Sequence, residues 1–124
     1  MYSSQVLDHF EHPRHVGEVE QADAAAEVDN PACGDVMRLS LKLRDGRIAE
    51  ARYRAKGCVT AIACGSRLTE MLQGRTLEEA RGLRREQLAD DLGGLSPETT
   101  HASHLAMDAL AATLAHLQAS RAGR

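Results

Sequence analysis

The chain has 124 residues, of which 43% are apolar, and its 15 basic and 18 acidic side chains give a formal net charge of −3. This length suits one domain with a modest core, and the acidic balance argues against general nucleic-acid binding, which needs a basic face to displace counterions. No apolar run approaches the roughly 18 residues of a membrane span and no signal-peptide pattern is visible, so we expect a single domain over residues 1–124 in the cytoplasm.

The N-terminal part of the chain is predicted to contain one short helix and one edge strand. Residues 3–11 favour a helix that stops before Pro13, because proline disfavours helical backbone in the residue that precedes it. Residues 18–32 are small, acidic and irregular, with an edge strand expected around Ala24–Val28.

A β-hairpin is the clearest local signal. Every second residue from Met37 to Leu43 is apolar, which indicates a strand with one buried face. Asp45-Gly46 is typical of a hairpin turn, where glycine supplies the positive φ. Apolar side chains alternate again over residues 49–55, so the strands are predicted to form an antiparallel meander.

Helices are predicted for the remainder of the chain. The first covers about residues 58–73 and carries an apolar stripe. A capping box over residues 76–79 opens a second short helix, a third covers Arg85–Asp91, and Ser96-Pro97 leads into the last. Strands followed by helices are typical of the α+β class. We therefore predict a three-stranded antiparallel β-sheet with helices packed on one face.

Cys33 and Asp35 lie two residues apart in the segment 30–35, Asn-Pro-Ala-Cys-Gly-Asp. Pro31 stiffens the approach and Gly34 permits a tight turn, so both side chains are expected close together on a loop before the strand. A thiolate and a carboxylate at this spacing can bind one metal ion. The alternative is an ordinary tight turn with a buried cysteine, and the spacing alone leaves both interpretations open.

Cys58 follows Gly57 at a strand-to-helix junction. The positive end of a helix dipole lowers the pKa of a thiol and favours the thiolate, which binds metals and attacks sulfur. The alternative is a small buried residue at the helix start. Cys64 lies about 120° around the helix and roughly 9 Å along it from Cys58, and we interpret it as core packing.

Histidines occur in two groups. His101 and His104 are one turn apart near the start of the last helix, a spacing that can bind metal but is common on helix surfaces, and we interpret His104 as an ordinary surface residue. His9, His12 and His15 recur every third residue. We interpret them as a solvated surface cluster, with a metal-binding tail as the alternative.

The order of these motifs resembles the NifU-type (IscU, SufU) iron–sulfur scaffold proteins from about Tyr2 to Leu117, nearly the whole chain. The segments similar to the family pattern are the opening helix with its His-Pro-Arg sequence at 6–17, the first ligand loop at 30–35, the second ligand segment at 54–63 and the later helices at 77–80 and 101–110.

The resemblance implies a scaffold protein and not an enzyme. Such a protein takes iron, and sulfide from a cysteine desulfurase as persulfide, builds a [2Fe–2S] cluster and passes it to apo iron–sulfur acceptor proteins. By matching position, Cys33, Cys58 and His101 would be ligands of the metal or cluster. Asp35 would be a labile metal ligand, because a hard carboxylate oxygen binds this iron less firmly than thiolate. Family members can also hold Zn²⁺ at the same site.

Two positions depart from the family pattern. Ala102 stands where the family places its third cysteine, a cluster ligand and persulfide acceptor. The Leu-Pro-Pro-Val-Lys stretch that engages an Hsp70-type chaperone is absent, because residues 95–99 read Leu-Ser-Pro-Glu-Thr, so chaperone-assisted transfer is unsupported. The four remaining candidate ligands are enough for tetrahedral Zn²⁺, and they would hold a [2Fe–2S] cluster more weakly than the usual four thiolates.

Three functions therefore remain open. The first is cluster assembly or carriage with two cysteines as ligands. The second is a zinc-holding or metal-free module that docks on a desulfurase or an acceptor without building clusters. The third is a sulfur relay in which Cys58 carries persulfide.

Overall fold

The structure, a computed structural model, describes residues 2–31, 34–97 and 99–122, with only the backbone of residues 121 and 122. Within these residues the elements are, in chain order, α1 (Ser4–Glu11), β1 (Ala24–Asn30), β2 (Asp35–Arg44), β3 (Arg47–Lys56), α2 (Val59–Leu72), α3 (Leu77–Arg81), α4 (Arg85–Asp91) and α5 (Thr100–Ala122). The sheet has the order β1-β2-β3, and both pairs are antiparallel. The expected α+β class with a three-stranded antiparallel sheet is confirmed.

The two strand connections set the ends of the sheet. Asp45 has a φ of 54° and Gly46 a φ of 77°, the left-handed backbone that a two-residue type I′ hairpin turn requires. At the opposite end of β2, strand β1 is longer than the predicted Ala24–Val28. Its pairing with β2 continues to Asn30, which lies opposite Asp35. This extension places Asp35 at the end of the sheet.

One face of the sheet carries the core. Alternate side chains of β2 and β3 point toward α2 and α5 and are withdrawn from solvent. The largest fully buried apolar side chains include Met37, Leu39, Leu41, Ile48, Leu68, Leu72, Leu88 and Leu92. Full burial of one such side chain contributes about 1.5–3 kcal/mol. This layer therefore holds the first turns of α2 and α5 in place at the end of the sheet.

The segment between α1 and β1 covers the outer edge of β3. The Gly17 amide donates to the Tyr53 carbonyl at 2.9 Å, and the Tyr53 amide donates to the His15 carbonyl at 3.0 Å. The segment then crosses the solvent side of the sheet, where the Val19 amide donates to Ser40 Oγ at 3.0 Å. An open strand edge is a template for pairing with another chain, and these contacts occupy it.

The longest helix, α5, packs along β1 and β2. On its buried side, the Thr113 hydroxyl donates to the Ala109 carbonyl at 2.7 Å, so this polar group is satisfied within the helix. In the described part of the chain, no helix combines the length and the apolar character that a membrane span needs.

Two of the N-terminal histidines fasten the start of the chain to α2. His9 is 7% exposed, and its Nδ1 lies 2.7 Å from Ser66 Oγ. The Nδ1 of half-buried His15 lies 3.2 Å from Thr69 Oγ1. The predicted solvated cluster is therefore wrong for His9 and His15, because packing on α2 turns both rings inward, and only His12 is exposed. Among the described residues, these histidines belong to no group suited to one metal ion.

Acidification from about pH 7 to about pH 5 is expected to destabilise the protein partly through His9. Burial lowers the pKa of His9, and Arg14 lowers it further against the opposing effect of Glu70. When the pKa of a histidine is lower in the folded protein than in the unfolded chain, the free energy of unfolding is at its full value above the unfolded pKa of about 6.5. This stability is lost as the pH falls through the folded value, because the unfolded chain then binds the proton more readily.

Urea unfolding at several pH values measures this effect. His9→Gln should lose less free energy of unfolding on acidification than the wild type. His12→Gln, which changes an exposed histidine, should keep the wild-type dependence. The same pH dependence in all three proteins would contradict the role of His9.

Candidate metal centre

Three predicted site residues meet at one end of the sheet. Asp35 is the first residue of β2, Cys58 is the N-cap of α2, and His101 lies in the first turn of α5. The expectation that Asp35 lies on the loop before the strand is wrong, because its pairing with Asn30 extends the strand to include it. The ligand atoms of Asp35, Cys58 and His101 all lie within 4.8 Å of one another.

The distances within this cluster suit a single metal ion. Cys58 Sγ lies 3.5 Å from Asp35 Oδ2, and His101 Nε2 lies 3.8 Å from the same oxygen. A tetrahedral ion with bonds of about 2.0–2.3 Å holds its ligand atoms about 3.3–3.8 Å apart. The described residues therefore offer a sulfur, a nitrogen and an oxygen donor at close to the separations that one ion requires.

The cluster is sheltered on the sheet side and open on the helix side. Asp35 is 4% exposed, whereas Cys58 and His101 are half-buried. A cleft of about 300 Å³ runs beside His101, between the end of β1 and the first turns of α5, and Asp29 and Asp108 line it. Carboxylates at its walls favour cations over anions. The cleft gives an ion a solvent route to His101.

The surroundings of Cys58 favour the neutral thiol. Burial raises the pKa of the Cys58 thiol, and the Asp35 carboxylate also raises it, while the hydrogen bond from the Ala61 amide to Sγ lowers it. That amide lies 3.4 Å from the sulfur. The expectation of a lowered pKa is wrong, because desolvation and a neighbouring negative charge outweigh the helix N-terminus. A bound cation would reverse this balance, since a coordinating thiol is deprotonated.

Cys64 does not belong to this group of donor residues. Cys64 is fully buried in the core face of α2, and burial raises the pKa of its thiol to about 12. Its interpretation as core packing is confirmed. Cys33 lies outside the described residues, so its membership of the ligand set stays a prediction.

His101, Ala102 and His104 lie close together near the start of α5 but differ in exposure. Ala102 is fully buried in the core, so apolar packing fills the position where the resemblance expects a third cysteine. His104 is exposed at the cleft, and its predicted surface position is confirmed.

Gly57 is a site residue that the sequence reasoning missed. A Cβ added to it would overlap the carboxylate of Asp35, and its φ is 153°. The signal in the sequence is a glycine directly before the helix N-cap, at the strand-to-helix junction.

The fold and this cluster together define a small α+β domain with a candidate metal centre between the end of its sheet and the first turns of two helices. The chain belongs to the family of NifU-like N-terminal domains, whose model matches residues 1–123. The resemblance inferred from the sequence motifs is thereby confirmed.

Several known proteins are similar to the chain over most of its length. The iron–sulfur cluster assembly scaffold protein IscU 1 of Archaeoglobus fulgidus is 47% identical over 110 residues, which cover 89% of this chain and 72% of the relative. The iron–sulfur cluster assembly scaffold protein IscU of Escherichia coli K12 is 41% identical over 124 residues, which cover 97% of this chain and 96% of the relative. The crystal structure of a NifU-like protein (N-terminal) from Brucella abortus has a TM-score of 0.77 at 20% identity and covers 94% of each chain, which shows a shared fold.

Proposed function

We propose that this chain is an iron–sulfur cluster scaffold or carrier, which binds iron or a [2Fe–2S] cluster as cargo and passes it to acceptor proteins. Its relatives from Archaeoglobus fulgidus and Escherichia coli are named as cluster assembly scaffolds. The observation that carries the proposal is the convergence of Asp35, Cys58 and His101 within 4.8 Å. Residues far apart in the sequence meet there with donor types that bind iron.

The proposed ligand set is Cys33, Asp35, Cys58 and His101. Cys33 enters it by the sequence resemblance and by its place two residues before Asp35. Thiolates are the ordinary protein ligands of iron–sulfur clusters, so the two cysteines would hold the cargo most firmly. The carboxylate of Asp35 is a harder ligand that binds this iron less firmly. A ligand set with two firm thiolates and one weaker carboxylate suits a metal cargo that must be released to an acceptor.

The surrounding protein orders this set and limits the access of water. The Ala61 amide donates to Cys58 Sγ at 3.4 Å, and it would stabilise the thiolate once a binding cation has displaced the thiol proton to solvent. Asp35 is almost fully buried, whereas His101 borders the cleft. Iron would therefore arrive and depart on the His101 side.

The wider role follows from the same reasoning. The chain is proposed to act in the cytoplasm as a single domain over residues 1–124, as a scaffold and not as an enzyme. Its sulfur would come from a cysteine desulfurase, and its cluster would go to apo iron–sulfur proteins. No Hsp70-type chaperone is included, because the sequence lacks the stretch for that contact.

Anaerobic reconstitution tests the proposal. With Fe²⁺, cysteine and a cysteine desulfurase, the protein is expected to develop the visible absorption of a [2Fe–2S] cluster and then to transfer the cluster to an apo-ferredoxin. A parallel reaction without the protein shows how much cluster forms on the ferredoxin directly. No cluster absorption, together with transfer no faster than in that control, would contradict the scaffold role.

A zinc-holding docking module is the second candidate, and Ala102 is the observation that favours it. A buried alanine removes one cluster ligand and the persulfide acceptor, while the remaining sulfur, nitrogen and oxygen donors suit tetrahedral Zn²⁺. This candidate predicts a colourless protein with about one Zn²⁺ per chain. The scaffold role predicts a brown, oxygen-sensitive protein. Metal analysis after anaerobic purification therefore separates the two candidate functions.

A sulfur relay on Cys58 has less support. Only the thiolate attacks the sulfur of a persulfide, and burial raises the pKa of the Cys58 thiol. A persulfide mass shift on Cys58 after incubation with a desulfurase and cysteine would favour the relay over this argument.

A further inference from the structure

Gly57 and Asp35 are in close contact at the end of the sheet. Lys56 pairs with Val36 in the last rung between β2 and β3, so the residues beyond that rung, Gly57 and Asp35, lie across from each other. A Cβ added to Gly57 would overlap Oδ1 and Cγ of Asp35 and would lie 3.0 Å from its Cβ. A side chain at position 57 and the carboxylate of Asp35 therefore compete for one space.

The same carboxylate reaches into the metal centre with its other oxygen. Oδ2 of Asp35 lies 3.5 Å from Cys58 Sγ and 3.8 Å from His101 Nε2. Asp35 is 4% exposed, so packing surrounds the carboxylate on nearly all sides. Its Oδ1 therefore lies over Gly57, while its Oδ2 faces Cys58 and His101.

We propose that Gly57 is a positioning residue, whose missing side chain seats the carboxylate of Asp35 in the metal centre. The inference rests on the proposed function, since it concerns the same site. The backbone of Gly57 agrees with it, because a φ of 153° is a conformation that favours glycine. With alanine at position 57, the added Cβ would take the space that the Asp35 carboxylate fills, and the backbone would be strained at this φ as well. The displaced carboxylate would then no longer serve as the oxygen ligand of the site.

A double-mutant cycle with Co²⁺ as the probe tests this role. The proteins are the wild type, Gly57→Ala, Asp35→Ala and the double variant, all prepared free of metal. Gly46→Ala is the matched control, because Gly46 also has a positive φ, 77°, and an added Cβ there meets nothing within 4 Å. Co²⁺ titration gives the affinity, and the absorption spectrum reports the ligands.

The expected result is that Gly57→Ala weakens Co²⁺ binding about 10–100-fold, the range found for residues that orient metal ligands. The double variant should bind about as weakly as Asp35→Ala alone, because the effect of Gly57→Ala passes through Asp35. The sulfur-to-cobalt charge-transfer band should remain in Gly57→Ala, since Cys58 still binds, while the d–d bands change with the loss of the carboxylate.

Three results would overturn the inference while leaving the proposed function in place. The first is that Gly57→Ala binds Co²⁺ as tightly as Gly46→Ala does. The second is that the double variant loses affinity by the product of the two single-variant losses, and the third is that Gly57→Ala loses the charge-transfer band. A wild type that binds no Co²⁺ would overturn the metal site as well. Urea unfolding gives a second test, because alanine at this φ is strained whatever the space around it. Gly57→Ala should cost less stability in the Asp35→Ala background, which lacks the colliding carboxylate, and an equal loss in both backgrounds would contradict the inference.

Discussion

Cys58→Ala is expected to abolish tight metal binding, whereas Cys64→Ala should leave the metal content unchanged. Cys58 is the sulfur donor of the cluster that it forms with Asp35 and His101. Without it, the site keeps the proposed Cys33 thiolate together with one nitrogen and one oxygen donor, and a site with a single thiolate holds thiophilic metals less firmly. The loss of affinity should exceed the roughly 10–100-fold that outer-shell partners cost, because a ligand itself is removed.

Cys64 is the natural control because it is a second thiol of the same helix, fully buried in the core. Cys64→Ala should lower the free energy of unfolding by about 1 kcal/mol, the centre of the range for point substitutions, and urea unfolding checks this separately from metal content. Metal analysis and Co²⁺ titration then compare the two variants. An equal loss of metal in both would overturn the assignment of Cys64 to the core, and full metal content in Cys58→Ala would remove Cys58 from the ligand set.

Ala102→Cys is expected to make the protein retain a reconstituted cluster longer and release it more slowly. A third thiolate would stand next to His101, and thiolate binds cluster iron more firmly than the Asp35 carboxylate does. We expect the lifetime of the cluster to rise by on the order of tenfold, the lower end of the effects that outer-shell residues alone produce. Because Ala102 is fully buried, the added sulfur should also cost about 1–3 kcal/mol of stability through overpacking.

Ala102→Ser separates the thiolate from the added volume. Anaerobic reconstitution followed by transfer to an apo-ferredoxin compares the wild type with both variants. Equal cluster lifetimes in Ala102→Cys and Ala102→Ser would mean that a third thiolate does not act at the site. If only Ala102→Cys builds a cluster, the fold is competent but the natural chain has left cluster building, and the zinc-holding docking module becomes the better assignment.

Those parts of the fold that depend on neighbouring residues could be predicted closely. The alternation from Met37 to Leu43 lies within β2, and Asp45-Gly46 forms the expected turn. Both bonds of the capping box exist, since the Thr76 amide donates to Glu79 Oε1 at 2.8 Å and the Glu79 amide donates to Thr76 Oγ1 at 3.1 Å. These signals are reliable because their energies arise within a few residues of chain.

The surroundings of individual side chains were harder to predict than the helices and strands that carry them. His9 is buried against Ser66 although its spacing suggested a surface position, because the docking of α1 on α2 decides which way the ring faces. The pKa of the Cys58 thiol is raised and not lowered, because burial and Asp35 act on it along with the helix start. Both effects come from residues distant in the sequence.

The amino-acid sequence by itself determined the α+β class, most element boundaries, the family and the types of donor atom available for a metal. Only the tertiary structure decided that Asp35 Oδ2, Cys58 Sγ and His101 Nε2 come together, and that Gly57 leaves the space in which the carboxylate lies. The physical reason is that these separations depend on the pairing of β2 with β3 and on the packing of α2 and α5 against the sheet. Local propensities act over a few residues, whereas a metal centre needs donor atoms placed to within about 0.5 Å, and that order is set by the whole core.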